Sequence, residues 1–86
     1  MNNTDKKVKE VLKQYGKIRK QGDVWIVGNE GRPSFSVEIF DSNPKKIVKV
    51  SPIFGQGVSK NEWLYVAGLQ AKIIQEKVQK VVPKVL

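Results

Sequence analysis

The chain has 86 residues, of which 16 are Lys or Arg and 8 are Asp or Glu, so its formal net charge is +8. This length predicts one domain, residues 1–86 with a core from about residue 4 to residue 82, because little chain is left for a second core. Cys and His are absent, which excludes disulfides, thiolate zinc sites and nucleophiles of the Cys–His or Ser–His kind. We therefore expect no enzymatic activity, no metal and no cofactor.

The excess of positive charge favours a polyanionic partner, above all nucleic acid, over a mere contribution to solubility. Every cation except Arg19 and Arg32 is a lysine, which suits contact with phosphates better than bidentate reading of bases. The sequence shows no apolar leader and no apolar run that approaches a membrane span. We expect no membrane partner, and a cytoplasmic or other reducing intracellular location.

The first predicted element is a helix capped by Asn3 or Thr4. Its apolar residues follow the i, i+3, i+4, i+7 pattern of one helical face and are Val8, Val11, Leu12 and Tyr15. Gly16 is a natural end for this helix. Residues 17–20 then fit either a loop or a short edge strand that turns at residues 21–23.

Three strands are predicted next, at Val24–Val27, Ser34–Phe40 and Lys45–Ser51, with turns at residues 28–33 and 41–44. In the second of them Phe35, Val37 and Ile39 lie on one face and Phe40 on the other. In the third strand Val48 and Val50 lie opposite Ile47 and Lys49. Both faces of Val24–Val27 are apolar, so the sequence does not decide whether Trp25 is buried.

The last predicted element is a long helix that begins after Ser59 and ends near Val82, before Pro83. Ser59 and Glu62 have the spacing of a capping box. One helical face carries the expected core residues Trp63, Leu64, Ala67, Ala71, Ile74, Val78, Val81, Val82 and Val85. The predicted fold class is therefore α+β, in the order α-β-β-β-α, with a three-stranded antiparallel sheet, or four strands if residues 17–20 pair, and two helices on one face.

This order, together with the segment from Gly55 to Gly68, resembles the double-stranded-RNA-binding domain. The family pattern Gly-x-Gly-x-Ser-Lys, followed by a pair of small residues, matches Gly55, Gly57, Ser59, Lys60 and the pair Ala67-Gly68. Two lysines of the family pattern are replaced here, by Asn61 and Leu64. Trp25 and the segment from Gly31 to Glu38 also resemble the family's first strand, loop and second strand.

The resemblance implies shape-based binding of duplex RNA through three regions. The first helix would contribute Lys9, Glu10 and Lys13, and the loop between Val24–Val27 and Ser34–Phe40 would contribute Asn29 and Arg32. The start of the last helix would contribute Lys60 and Asn61. Some members of this family serve as protein-interaction adaptors without RNA binding, which is one alternative function.

A second alternative is a sheet that binds single-stranded DNA or RNA. The segment from Gly57 to Trp63 is similar to the helix start of single-strand binders of the positive cofactor 4 type. Such a platform needs aromatic side chains exposed together in a basic sheet, here Trp25 and Phe40. A nuclease is disfavoured, because Asp5, Glu10, Glu30 and Asp41 show neither metal-ligand nor paired-acid spacing.

A second apolar stripe runs along the last helix, away from the core residues, and consists of Tyr65, Leu69 and Ile73. Such a stripe indicates either cover by the first helix or a loop, or a contact with a protein partner or a second copy in a weak homodimer.

Overall fold

The computed structural model describes residues 3–42 and 45–82. Its two helices are α1 at Asn3–Leu12 and α2 at Lys60–Val81. Between them lie four strands: β1 at Lys17–Gln21, β2 at Val24–Gly28, β3 at Ser34–Ser42 and β4 at Lys45–Ile53. The sheet is an antiparallel meander in the order β1-β2-β3-β4. The α+β class is thus confirmed. The order α-β-β-β-α is corrected to α-β-β-β-β-α, because residues 17–21 pair with β2 along their full length.

The register of the strands divides the sheet into a core face and an open face. Trp25 lies opposite Val37, and Val37 lies opposite Val50, so these side chains share the core face. The core face is completed by Val27, Phe35 and Val48, all buried. This confirms the predicted faces of the strands Ser34–Phe40 and Lys45–Ser51, and it places Trp25 in the core.

Both helices contribute to the same core, which is why they lie on one side of the sheet. Val8 and Leu12 of α1 are completely buried, and α2 buries Ala67, Ala71, Ile74 and Val78. Leu64, predicted in this stripe, is instead 52 % exposed. It lies on the same helical face as the buried Ala71, seven residues further on, so its exposure comes from its position in the first turns of α2 and not from its face.

A glycine contact joins the end of α1 to the sheet. After α1 the chain makes one 3₁₀ turn, Lys13–Tyr15, and then Gly16 takes a φ of 140°. A Cβ atom on Gly16 would lie 2.7 Å from the carbonyl carbon of Gly28, so the two backbones approach closely only because Gly16 has no side chain. The predicted stop at Gly16 is confirmed, and β1 starts at the next residue.

The end of α2 agrees with prediction, since the helix stops at Val81. Four residues named in the predictions lie outside the described residues: Pro83, the predicted helix stop, Val85 of the predicted core, and the turn residues Asn43 and Pro44.

Candidate nucleic-acid interface

The turn between β2 and β3 meets both helical parts of the molecule. Asn29 and Arg32 line a cleft together with Tyr15 of the 3₁₀ turn and Trp63 of α2. Pro33 and Phe35, which are buried, form part of its apolar wall. The structure therefore brings the turn next to the end of the first helical segment and to the first turns of α2.

The residues predicted for the first helix lie on the outer surface of α1 and of the 3₁₀ turn that follows it. Lys9, Glu10 and Lys13 are exposed, whereas Val8 and Leu12 face the core. The Nζ atom of Lys13 lies 3.3 Å from Oε1 of Glu10, an exposed ion pair of the kind that contributes little to stability. This pair occupies Glu10, so Lys9 is the better placed of the three for an outside anion.

The start of α2 combines a lysine with free backbone donors. Ser59 is the N-cap residue, as predicted, but its side chain makes no capping hydrogen bond, so the predicted capping box with Glu62 is wrong. The Ser59 carbonyl oxygen accepts from the Trp63 N–H, which leaves the first N–H groups of the helix without partners in the helix. Lys60 and Asn61 are both exposed there, and the Lys60 Nζ atom lies 5.9 Å from the centre of the Phe54 ring.

The loop before α2 explains one glycine of the family-like pattern. The Val58 N–H donates to the Gly55 carbonyl oxygen at 3.2 Å, which closes a four-residue turn. Gly57 has a φ of 85° within that turn, a conformation that favours glycine. A Cβ atom on Gly55 would meet nothing within 4 Å, so space does not require a glycine there.

The open face of the sheet is a second basic surface. Arg19 aligns with Ile26, Ser36 and Ser51 in one row across the four strands, and Glu38 lies opposite Lys49. Arg19 and Arg32, the two arginines of the chain, line one concave surface at the edge of this face. That surface is shared with Gln21, Glu30, Ser34 and Gln56.

The stacking platform that single-strand binding would use is not formed by Trp25. Trp25 is 5 % exposed and faces the core, with the Lys20 Nζ atom 4.9 Å from its ring centre. Phe40 is 46 % exposed and lies on the open face, paired with the similarly exposed Ile47. The two aromatic rings are therefore on opposite faces of the sheet, so the joint exposure that a stacking platform needs is absent.

Arg19 lines the concave surface at the edge of the open face, and the sequence analysis did not name it as a candidate site residue. One signal for its position was present: the charged, apolar, charged order of Lys17, Ile18 and Arg19 is the alternation of an edge strand. The partner of β1 across the sheet was needed to show which face Arg19 occupies.

The second apolar stripe of α2 is exposed. Tyr65, Leu69 and Ile73 are 76 %, 48 % and 44 % exposed, so neither α1 nor a described loop covers them. The described residues therefore do not cover this stripe within one chain.

Within residues 3–42 and 45–82 no three Asp or Glu side chains are grouped so that they could hold a metal ion. In the same part of the chain, no helix combines the length and the apolar character that crossing a membrane would require.

No family model, curated protein or solved structure matches the chain.

Proposed function

We propose that this chain is a non-catalytic nucleic-acid-binding protein that recognises duplex RNA by its shape. The contact surface consists of the exposed side of α1, the β2–β3 turn and the start of α2. The proposal is supported chiefly by the cleft that Asn29 and Arg32 line together with Tyr15 and Trp63, because this cleft brings the β2–β3 turn beside both helical segments.

The chemistry of that surface suits phosphates and ribose hydroxyls. Lys9 and Lys60 are exposed cations on separate elements, and the unpartnered N–H groups at the start of α2 favour an anion. Asn29 offers an amide that can donate and accept, which suits a 2′-hydroxyl group. The lysine ammonium groups and the backbone N–H groups lack the paired, planar geometry that distinguishes one base from another, which suits recognition of shape.

A second candidate is single-strand binding on the open face of the sheet. It is favoured by one observation: Arg19 and Arg32 line the same concave surface, on the face that also carries exposed Phe40. Phe40 alone provides the stacking surface, because Trp25 is buried. The third candidate, a protein-interaction adaptor, requires neither basic surface to bind nucleic acid.

Two triple variants with equal loss of charge separate the surfaces. The helix-side variant is Lys9→Ala/Lys13→Ala/Lys60→Ala, and the sheet-side variant is Lys17→Ala/Arg19→Ala/Lys49→Ala. Binding is measured by fluorescence anisotropy against duplex RNA, duplex DNA and single-stranded RNA, over a series of salt concentrations. Duplex RNA affinity should fall about tenfold or more in the helix-side variant and clearly less in the sheet-side variant. In the helix-side variant, the affinity for duplex RNA should also depend less steeply on salt concentration, because fewer phosphates are neutralised.

Other outcomes identify the other candidates. A greater loss in the sheet-side variant, measured on single-stranded RNA, supports the open face. Equal losses for every nucleic acid mean that only net charge matters. Absence of binding to all three at low salt refutes nucleic-acid binding and supports the adaptor.

A further inference from the structure

Helix α2 carries an exposed apolar strip that the fold of one chain does not use. The strip consists of Tyr65, Val66, Leu69 and Ile73, which are between 44 % and 76 % exposed. The opposite side of the same helix is buried against the sheet and α1. Lys77 borders the strip on the side of the first helical segment, where its Nζ atom lies 5.4 Å from the centre of the Tyr15 ring.

Two charged residues define the long axis of this strip. Glu62 and Lys80 are both exposed and are 18 residues apart, which is five turns at about 3.6 residues per turn, so they lie on one line along the helix. Leu69 and Ile73 fall between them, about 20° to either side of that line. The line thus runs from an acidic residue past Leu69 and Ile73 to a basic residue, and the exposed Glu76 lies about 40° from it, between Ile73 and Lys80.

We propose that the strip pairs with the same strip of a second copy of this chain, with the two α2 helices antiparallel and related by a two-fold axis that crosses between them at the height of residue 71. This arrangement sets Glu62 opposite the partner's Lys80, and it does so at both ends because the contact is symmetric. It also sets Leu69 beside the partner's Ile73, on opposite sides of the central line, so that the side chains interleave. In a parallel pair Glu62 would face the partner's Glu62 and Lys80 would face the partner's Lys80, so like charges would meet at both ends.

The size of the strip determines how strong this dimer is. The strip belongs to a helix of 22 residues, about 33 Å long. One helix pair buries less than the roughly 800 Å² per partner of a standard stable interface. Both copies also carry a charge of +8, which opposes association. The expected dissociation constant is therefore about 10–100 µM, and the dimer forms without nucleic acid.

Sedimentation equilibrium of the full chain, from about 5 to 500 µM and without nucleic acid, tests the dimer. Leu69→Glu should weaken association at least tenfold, since it buries a charge at the centre of the interface. Leu64→Glu is the matched control, because Leu64 is an equally exposed leucine about 160° around the helix from the central line. It should leave association unchanged. Circular dichroism shows whether each variant is folded.

A charge exchange tests the antiparallel orientation. Glu62→Lys and Lys80→Glu should each weaken the dimer several-fold, and the double variant should recover most of the loss, because it restores opposite charges at both ends. This series leaves the apolar residues intact, so it decides the question even if Leu69→Glu unfolds the chain. A monomer at 500 µM, equal effects of Leu69→Glu and Leu64→Glu in folded proteins, or failure of the double variant to recover would each overturn the proposal. All of these measurements are independent of RNA binding.

Discussion

The side chain of Gln79 pairs with the backbone of Val48 as a neighbouring strand would. Its Oε1 atom accepts a hydrogen bond from the Val48 N–H at 3.1 Å, and its Nε2 atom donates to the Lys46 carbonyl oxygen at 2.8 Å. Strand β4 is at the edge of the sheet, where backbone groups lack a strand partner. One carboxamide therefore covers part of this edge and also fixes the rotation of α2 against β4.

Replacing this side chain should destabilise the fold. Gln79→Ala removes the part-buried hydrogen bond to the Val48 N–H and the exposed one to the Lys46 carbonyl, and we expect a loss of about 1–2 kcal/mol in the free energy of unfolding. Urea denaturation followed by circular dichroism measures it. Gln75→Ala, at an exposed position of the same helix, should change stability by less than about 0.5 kcal/mol. Similar effects of the two substitutions would mean that the hydrogen bonds to β4 contribute nothing.

Two glycines should respond to the same substitution with opposite signs. Gly16→Ala forces a Cβ atom against the Gly28 backbone at a φ of 140°, and we expect a loss of about 2–3 kcal/mol. Gly68→Ala adds a methyl group in open space within α2, where alanine is the better helix former, and should stabilise by about 0.5–1 kcal/mol. Thermal unfolding of both variants measures the difference. The glycine contact would have no structural role if Gly16→Ala were neutral.

The hydroxyl group of Tyr15 should be dispensable for stability. Its oxygen atom is buried and has no hydrogen-bond partner among the described residues. A buried polar group without a partner is costly, so Tyr15→Phe should leave the free energy of unfolding unchanged or raise it by up to about 1 kcal/mol. A loss of more than 1 kcal/mol in chemical denaturation would reveal a partner for the hydroxyl.

The two aromatic residues considered for base stacking should differ in their effect on folding. Trp25→Ala removes a core side chain and should cost about 3–5 kcal/mol, whereas Phe40→Ala removes a half-exposed ring and should cost less than about 1 kcal/mol. Consequently only Phe40→Ala can test stacking in a folded protein. If Trp25→Ala were as stable as the parent chain, the burial of this ring would have to be reconsidered.

Periodicity was sufficient to predict most of the fold. The apolar alternation in Ser34–Phe40 and the long stripe from Ala67 to Val78 each match one repeat, so their buried faces followed directly. Residues 17–21 carry a single apolar residue, Ile18, and their pairing depends on β2, which local pattern cannot show. For the same reason the burial of Trp25 was undecided until the register with Val37 was known.

The candidate surfaces were only partly predictable. Exposure of Lys9, Arg32 and Lys60 follows from their chemistry, but the cleft that gathers Tyr15, Asn29 and Trp63 joins residues from three distant segments. Arg19 and Arg32 line one concave surface only because the fold brings β1 beside the β2–β3 turn. The family-like pattern located the start of α2 correctly but did not show that Ser59 leaves the helix donors open.

The meander order of the sheet has a consequence for the rate of folding. Each strand pairs with the one that follows it along the chain, so closing the sheet requires only short loops and little loss of chain entropy. The contact of α1 with α2 is the one that joins the two ends of the chain. We expect folding within milliseconds, with hairpin contacts such as Val37–Val50 formed early and the helix pair docking late. In stopped-flow experiments, weakening the packing of Leu12 of α1 in the core should then mainly accelerate unfolding and leave the folding rate almost unchanged.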